Sequence, residues 1–485
     1  MTRSKSPSPQ IATDSPSIRN DGALAPRQIL TVEQVRAAEV ALFEAGIEEW
    51  ALMSQAGQGA ADWIARLAAG GPVTVLCGPG HNGGDGYVAA AALRARGLPV
   101  KVVAPIAPKT DLARRAAGTF DGEVLENGEG LHGAVFVDAM FGIGLSRPLT
   151  DEHLALIRSL HHANTRSVAL DVPSGIESDS GEGPDDLPTF DLTLAFGAWK
   201  PAHFGGGALA KIGAPRLVEI GVPDQSASTM LSRNARIAAP DFGAYKYTRG
   251  LVAVVGGAMP GAGLLAARAA ALAGAGYVKW MSAHDHPGHP PDLVRDDSPL
   301  EEALSDERIG CVLVGPGLGR DDDARERLKA ALDCGKPLVL DADALHLLRP
   351  AMLADRNAPI LLTPHAGELG TLCETFSVDG ATKWARAARL SQETACAVLA
   401  KGPDTQLACD GQLRFFPPGS RWLSVAGSGD VLAGIAAARL AADDETMRAT
   451  CEAVHLHGRA ARFAGPGFTA GMLAEAVKPA LAEMI

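Results

Sequence analysis

Only 5% of this 485-residue sequence is aromatic, its seven cysteines include no Cys-x-x-Cys pair, and no apolar run is long enough to cross a membrane. Scattered cysteines in odd number exclude a disulfide framework and fit reduced, buried thiols in a cytoplasmic protein. The alanine-rich stretch 263–276 is interrupted by Arg268 and another ends at Arg439, so neither supplies the ~20 uninterrupted apolar residues of a span. Positive charge is also scarce. With 44 Lys and Arg against 56 Asp and Glu the formal charge is −12, and the chain lacks the basic field with which proteins displace counterions from nucleic acid. An anionic small molecule must therefore be held by local donors. Residues 1–26, rich in Ser, Pro and Asp, lack the apolar segment of a signal peptide and are expected to be a disordered extension.

What is present is a chain with 47% apolar residues and a length that favours two domains. Apolar residues recur at helical spacing over 31–67, and the run 73–77 that follows reads as a buried strand ending in glycines, with a helix expected over 86–96. Further strands are expected at 100–105, 134–138, 167–171 and 192–196, with a helix at 153–161. The periodicity fades between 222 and 246 and resumes with strands at 251–255, 311–314, 337–340, 360–362 and 395–400. Strands alternating with helices predict an α/β protein with mostly parallel sheets covered on both faces. The expected division is an N-terminal Rossmann-like three-layer sandwich over 27–225, a linker over 226–244 and a C-terminal α/β domain over 245–485. In open sheets of this kind the ligand lies beyond the carboxyl ends of the strands.

The first such strand end reads Cys77-Gly-Pro-Gly-His-Asn-Gly-Gly-Asp-Gly86, with Gly78, Gly80 and Gly83 in G-x-G-x-x-G spacing. That spacing alone is a weak signal, and the expected second strand carries no acidic residue to take ribose hydroxyls, which argues against an ordinary dehydrogenase. Asn82 and Asp85 add a carbonyl and a carboxylate to the free amides of a helix start, so phosphate and a cation could both be served. Asp138 and Asp171 stand at two further strand ends. Each alone reads equally well as a turn or cap residue. Together they make a convergent set of oxygen donors suited to a hard cation.

In the second half, Gly427-Ser-Gly-Asp430 opens an apolar helix, where free amides and the helix dipole favour a transferring phosphoryl group. Asp430 at its rim is placed to take the proton from an attacking hydroxyl, although a plain first-turn Asp is the bland alternative. Lys401-Gly-Pro-Asp-Thr405 follows a strand and offers charge and backbone to nucleotide phosphates. Gly315-Pro-Gly-Leu-Gly319 allows close approach of backbone to a ligand. In Thr363-Pro-His-Ala-Gly-Glu368 the carboxylate of Glu368 is a candidate to position magnesium through water.

In the first half Asn82-Gly-Gly-Asp-Gly86, the stretch 138–144, Asp171-Val-Pro-Ser-Gly175 and Phe196-Gly-Ala-Trp-Lys200 resemble, in order, the motifs of the NAD(P)H-hydrate epimerase domain, over about 27–225. The resemblance implies that Asn82, Asp138 and Ser174 hold potassium, and that Asp171 faces the hydrated nicotinamide with Lys200 as a second, weaker candidate. Asn82, Gly83, Gly84, Asp85, Gly86, Gly142, Gly144 and Asp171 would line the substrate. His81 stands where the family commonly has another asparagine.

The motifs from about residue 245 onward, including Val254-Val-Gly-Gly, Leu340-Asp-Ala-Asp-Ala-Leu345 and those above, resemble the ribokinase-like NAD(P)H-hydrate dehydratase family. Here the implied hydrate pocket is Ala262, Gly319, His365 and Asp430. The adenine nucleotide would be bound by Lys401, Gly402, Pro403, Asp404 and Thr405 with Gly427 and Gly429. Departures from the pattern are Tyr245 and Tyr247 around Lys246, Ala366 in place of a proline, and Ala426 before the glycine turn. The two resemblances together imply a bifunctional repair enzyme acting on NADHX and NADPHX as a cytoplasmic homo-oligomer. ADP would be the phosphoryl donor, as is usual in bacterial members, or ATP, as in eukaryotic ones. Two other readings stay open: a ribokinase-like kinase releasing a stable phosphorylated product, and a first half that has become a binding module for a protein or RNA. His284-Asp-His-Pro-Gly-His289 lies in a proline-rich loop without cysteines and reads as a loop rather than a metal cluster.

Overall fold

The computed structural model describes residues 27–144, 147–283, 285–354, 356–443 and 445–485. The extension expected over 1–26 lies outside the described residues. Seven parallel strands form the first sheet: β1 (Val73–Cys77), β2 (Val100–Val103), β3 (Glu123–Leu125), β4 (Gly133–Ala139), β5 (Asn164–Leu170), β6 (Leu192–Phe196) and β7 (Ala214–Val218). They lie in the order β3-β2-β1-β4-β5-β6-β7. β1 and β6 are buried along their whole length, as strands covered by helices on both faces must be.

The second sheet has ten strands: β8 (Thr229–Leu231), β9 (Leu251–Val255), β10 (Tyr277–Met281), β11 (Val294–Asp296), β12 (Ile309–Val314), β13 (Leu338–Leu340), β14 (Ile360–Leu362), β15 (Ala397–Ala400), β16 (Gln406–Cys409) and β17 (Gln412–Phe415). Their order is β11-β10-β9-β12-β13-β14-β15-β16-β17-β8. All pairings are parallel except β15 with β16 and β16 with β17. The last of these is a hairpin turning at Asp410 (φ 50°) and Gly411 (φ 73°), the left-handed pair that a two-residue turn requires. The alanine-rich helices Pro260–Leu272 and Ser428–Ala442 cover this sheet at very short range. A Cβ at Gly434 would lie 2.1 Å from the Ala266 carbonyl, which is why small residues, and not a membrane, explain their composition. Among the described residues no helix is long and apolar enough to cross a membrane.

Two expectations need correction. The helix expected over 86–96 is His81–Ala95, so the motif 82–86 forms its first turns rather than a loop before it. Glycine is a poor helix former, but Gly84 faces Met53 and Gly86 faces Ala139, where a Cβ would come within 2.5 and 2.6 Å of those side chains. Packing overrides propensity there. The stretch expected as a linker over 226–244 contributes β8 to the second sheet. Gln28 bridges to Met230 and Ile29 to Trp199, tying the start of the first half to that strand. Ile29, Ala195, Trp199 and Phe204 consequently share one buried cluster with Leu231, Leu413 and Phe415.

Candidate active sites of the two halves

The strand order of the first sheet reverses between β1 and β4, which opens a crevice beyond their carboxyl ends. A Cβ at Gly78 would lie 1.7 Å from the Met140 carbonyl and one at Gly83 1.9 Å from that of Gly78, so the turn after β1 reaches the loop after β4 only as glycine. Asn82 lies against that loop, its Cγ 3.2 Å from where a Cβ of Gly142 would be. Both carboxamide atoms of Asn82 are buried without a hydrogen-bond partner. Asp138 is wholly buried at the end of β4. Its Oδ1 accepts the Ser174 hydroxyl at 2.6 Å and the Met140 amide at 3.2 Å, and Oδ2 accepts the Ser174 amide at 2.8 Å. Burial pushes its pKa up against these bonds, and among the described residues no cationic side chain acts on it. A buried carboxylate without countercharge beside an orphaned carboxamide oxygen is a donor set that fits potassium. Gly144 lies at the margin of this loop, next to residues 145–146, which lie outside the described residues.

Asp171 follows β5 with φ 65°, a left-handed conformation that costs a non-glycine residue roughly 1–2 kcal/mol. Its amide donates to Leu194 O at 2.7 Å, and its Oδ1 accepts Lys200 Nζ at 2.5 Å and the Phe196 amide at 3.3 Å. Lys200 is itself only 1% exposed and donates a further bond to Phe196 O at 2.9 Å. His203 completes the arrangement, with Nδ1 2.9 Å from the Lys200 amide and Nε2 2.7 Å from Asp171 O. Two more carboxylates act on the pair. Asp85 is raised well above the usual carboxylate range, by burial first and then by Asp171 and Glu39, while Lys200 opposes. Glu39, on helix Val32–Glu44, is raised chiefly by burial. Burial and mutual repulsion favour the protonated form of both carboxyls.

In the second sheet Gly427 (φ 89°) opens helix Ser428–Ala442, with Asp430 in its first turn. Burial, then repulsion from Asp341, raises the Asp430 carboxyl to about 6, with Lys401 opposing. Lys401 Nζ meets Asp341 Oδ1 at 2.6 Å, and Thr363 Oγ1 donates to the same oxygen at 2.8 Å. A Cβ on Gly429 would lie 3.4 Å from Lys401 Nζ, so the ammonium sits over the open amides of the helix. The loop 401–405 is braced by Lys383, whose Nζ donates to Lys401 O at 3.1 Å, Asp404 O at 3.0 Å and Asp404 Oδ1 at 2.6 Å. On the other side Gly319 N donates to Asp343 Oδ2 at 3.0 Å, and Met259 N to Gly317 O at 2.8 Å, which brings the turn before Ala262 onto the loop 315–319. Gly427 closes the ring, since a Cβ there would lie 3.0 Å from Leu265.

Glu368 lies in the first turn of the helix that follows β14. His365 caps helix Ala366–Thr375 through Nδ1, and Glu368 Oε2 accepts the His365 amide at 2.8 Å in return. Its Oε1 lies 3.4 Å from His365 Nε2, and the residue is 6% exposed. The carboxylate thus serves the helix end. Tyr245 and Tyr247 lie away from both sites: Tyr247 packs on Tyr277, the first residue of β10, and its hydroxyl accepts Arg308 at 2.8 Å, at the amino ends of the strands. His289 stacks on Trp280, with ring centroids 5.6 Å apart, and His284 lies outside the described residues. Glu39, His203, Asp341 and Lys383 escape the motif reading. Asp341 at least stands in a quoted strand end, whereas Lys383 sits in an amphipathic helix with nothing local to distinguish it.

Comparison with known proteins finds two family models on the chain: NAD(P)H-hydrate dehydratase over residues 252–482 and YjeF-related protein N-terminus over residues 49–202. The bifunctional NAD(P)H-hydrate repair enzyme Nnr of Mycobacterium leprae is 33% identical, covering 94% of this chain and 100% of that protein. The enzyme of the same name from Gloeobacter violaceus is 34% identical over 93% of this chain and 97% of its own. Among solved structures, the ADP/ATP-dependent NAD(P)H-hydrate dehydratase of Bacillus subtilis is 24% identical, with a TM-score of 0.45, over 52% of this chain and 95% of its own.

Proposed function

The chain belongs to the family of bifunctional NAD(P)H-hydrate repair enzymes, and we propose how its residues divide that work. Its first half is the epimerase, interconverting the R and S forms of hydrated NADH and NADPH, and its second half dehydrates the S form back to the cofactor. The observation that carries the assignment of roles is that each sheet holds one ionisable cluster beyond its strand ends, Asp171 with Lys200 in one and Asp430 with Lys401 and Asp341 in the other.

In the first half Asp171 moves the protons of epimerisation: the C6 hydroxyl proton passes by way of its carboxylate to N1 as the C6–N1 bond breaks with its pair on nitrogen, and it returns when that nitrogen adds to the other face of the C6 carbonyl. Among the described residues its hydrogen bonds fall on Oδ1, so Oδ2 is the oxygen offered to the substrate. Lys200 orients it. The free amides at the start of helix His81–Ala95 bind the anionic parts of the hydrate, and Asp85 lines it beside Asp171. Asn82, Asp138 and Ser174 would hold potassium, whose charge offsets the buried Asp138 carboxylate and fixes the loop over 138–144.

In the second half Asp430 takes the proton of the S hydroxyl as that hydroxyl oxygen attacks the terminal phosphorus of ADP or ATP, and AMP or ADP leaves with the bridging oxygen. Lys401, the amides at 427–429 and the braced loop 401–405 receive the phosphoryl charge. Ala262, Gly319 and His365 line the hydrate. Phosphate then leaves C6 with its bonding pair, C5 gives up a proton, and the ring double bond returns. The test is to incubate the pure protein with mixed R and S hydrates and ADP or ATP, following the absorbance of the reduced nicotinamide. Recovery of the whole pool is expected, and no recovery with either nucleotide overturns the reading. Release of a stable phosphorylated product would favour the kinase reading instead.

A further inference from the structure

His203 is buried at 1% exposure at the end of the short turn Pro201–His203, far in sequence from every recognised motif except that of Lys200. Both of its ring nitrogens are spoken for. Nδ1 lies 2.9 Å from the backbone nitrogen of Lys200, which can only donate, so Nδ1 carries no proton and accepts. Nε2 therefore carries the proton and donates it to the carbonyl of Asp171 at 2.7 Å. The ring is wedged edge-on against Trp199, centroids 5.7 Å apart, and against Phe204 at 6.4 Å, so it cannot rotate away from these two bonds. Burial and the nearby Lys200 ammonium lower its pKa to about 4, which keeps it neutral near pH 7.

The two groups it ties together are the ion pair of the epimerase. Among the described residues Asp171 is the one member of that site in left-handed backbone, and its carbonyl takes one side-chain donor, His203, while its side chain is steered by Lys200 and Phe196. We infer that His203 is a positioning residue for epimerisation: bonded at one nitrogen to the Lys200 amide and at the other to the Asp171 carbonyl, it holds Asp171 in the conformation from which its carboxylate meets the hydrate. The inference rests on the reading of Asp171 as the epimerase residue. It predicts a role in turnover and none in binding, because the imidazole touches the backbone behind the carboxylate rather than the crevice.

The experiment follows conversion of R to S hydrate by chiral separation without nucleotide, in the full-length protein, for His203→Phe, His203→Gln and Asp171→Asn. His203→Phe keeps the ring volume and removes both bonds, and should lower kcat about 30-fold with KM within about twofold, the scale on which sub-ångström misplacement of a reacting group acts. His203→Gln restores a donor near Nε2 and should recover about a third of the wild-type kcat. S-hydrate dehydration by the same samples should be unchanged. A His203→Phe protein with wild-type kcat, or a glutamine variant no better than phenylalanine, overturns the inference. If Asp171→Asn keeps full epimerisation, the reading of Asp171 falls instead. Should the phenylalanine variant not fold, nitrogen-15 spectra of histidine in the native protein decide: His203 is expected as a neutral Nε2–H imidazole that does not titrate between about pH 5 and 8, and a titrating or Nδ1–H ring refutes the assignment.

Discussion

Asp430 is the group on which the dehydratase chemistry turns, and its setting gives the pH dependence a sign and a position. The carboxyl acts as a base, so the active form is the deprotonated one, and raising its pKa moves the acid limb of activity upward. With a value of about 6 set by burial and by Asp341 against Lys401, about one tenth is ionised at pH 5 and about nine tenths at pH 7. The kcat/KM for S hydrate should therefore rise roughly tenfold over that interval and then level off. Two substitutions should move the limb in opposite directions. Asp341→Asn removes the neighbouring negative charge and frees Lys401 from its 2.6 Å partner, and both effects lower the limb, by about one unit. Lys401→Met removes the opposing cation and should raise it by about one unit, with a higher KM for the nucleotide. Asp430→Asn keeps the size of the side chain but removes the acceptor, costing ~100-fold or more, or about 2.7 kcal/mol of transition-state stabilisation. The assay is initial-rate recovery of reduced-nicotinamide absorbance from pure S hydrate across pH, with nucleotide affinity measured separately. Limbs that coincide in all three proteins, or near-normal turnover in Asp430→Asn, would show that Asp430 only caps its helix.

In Asp138→Ala, epimerisation should weaken while S-hydrate dehydration stays near its original rate, and replacing potassium by a bulky organic cation should do the same to the native protein; equal loss of both activities in a folded variant counts against a local site. Asp171→Ala should repair S hydrate quickly and then slow to the spontaneous epimerisation rate, seen by chiral separation of the residue, and simultaneous consumption of R and S at the original rate would refute the role of Asp171. Leu231, 1% exposed in the cluster the two halves share, should cost ~2–5 kcal/mol on truncation to Ala. Heating that variant should abolish both activities together, and survival of one activity well past the other would show that the shared cluster does not couple the halves.

Much of the fold is legible because its central strands are short apolar runs ending in glycine, aspartate or histidine clusters, and 73–77, 192–196, 251–255 and 360–362 coincide with β1, β6, β9 and β14. The strands that escape do so for identifiable reasons. β10 carries Lys279 in its middle, which breaks the apolar run and becomes tolerable only because Asp296 and Asp306 meet its ammonium at 3.2 Å each. β16 and β17 are four residues each, and only the Asp410-Gly411 turn between them marks a hairpin. At the sites, groups on motif turns are readable because glycines advertise them. Glu39 and His203 are not, since one is an ordinary position on a helix and the other a buried ring whose meaning lies in which backbone atoms it bridges.

The strand β8 has a consequence for the order in which the molecule can be completed during synthesis. Thr229–Leu231 leaves the ribosome before any other strand of the sheet it joins, and the partner it pairs with, β17, comes last of all. Until then Ile29, Trp199 and Leu231 have their own half in place but not Leu413 and Phe415, so the growing chain carries an uncovered apolar patch through the making of nearly the whole second sheet. Such patches are where nascent chains associate wrongly or recruit chaperones. The seam between the epimerase and the dehydratase is therefore closed by the C-terminal part of the chain.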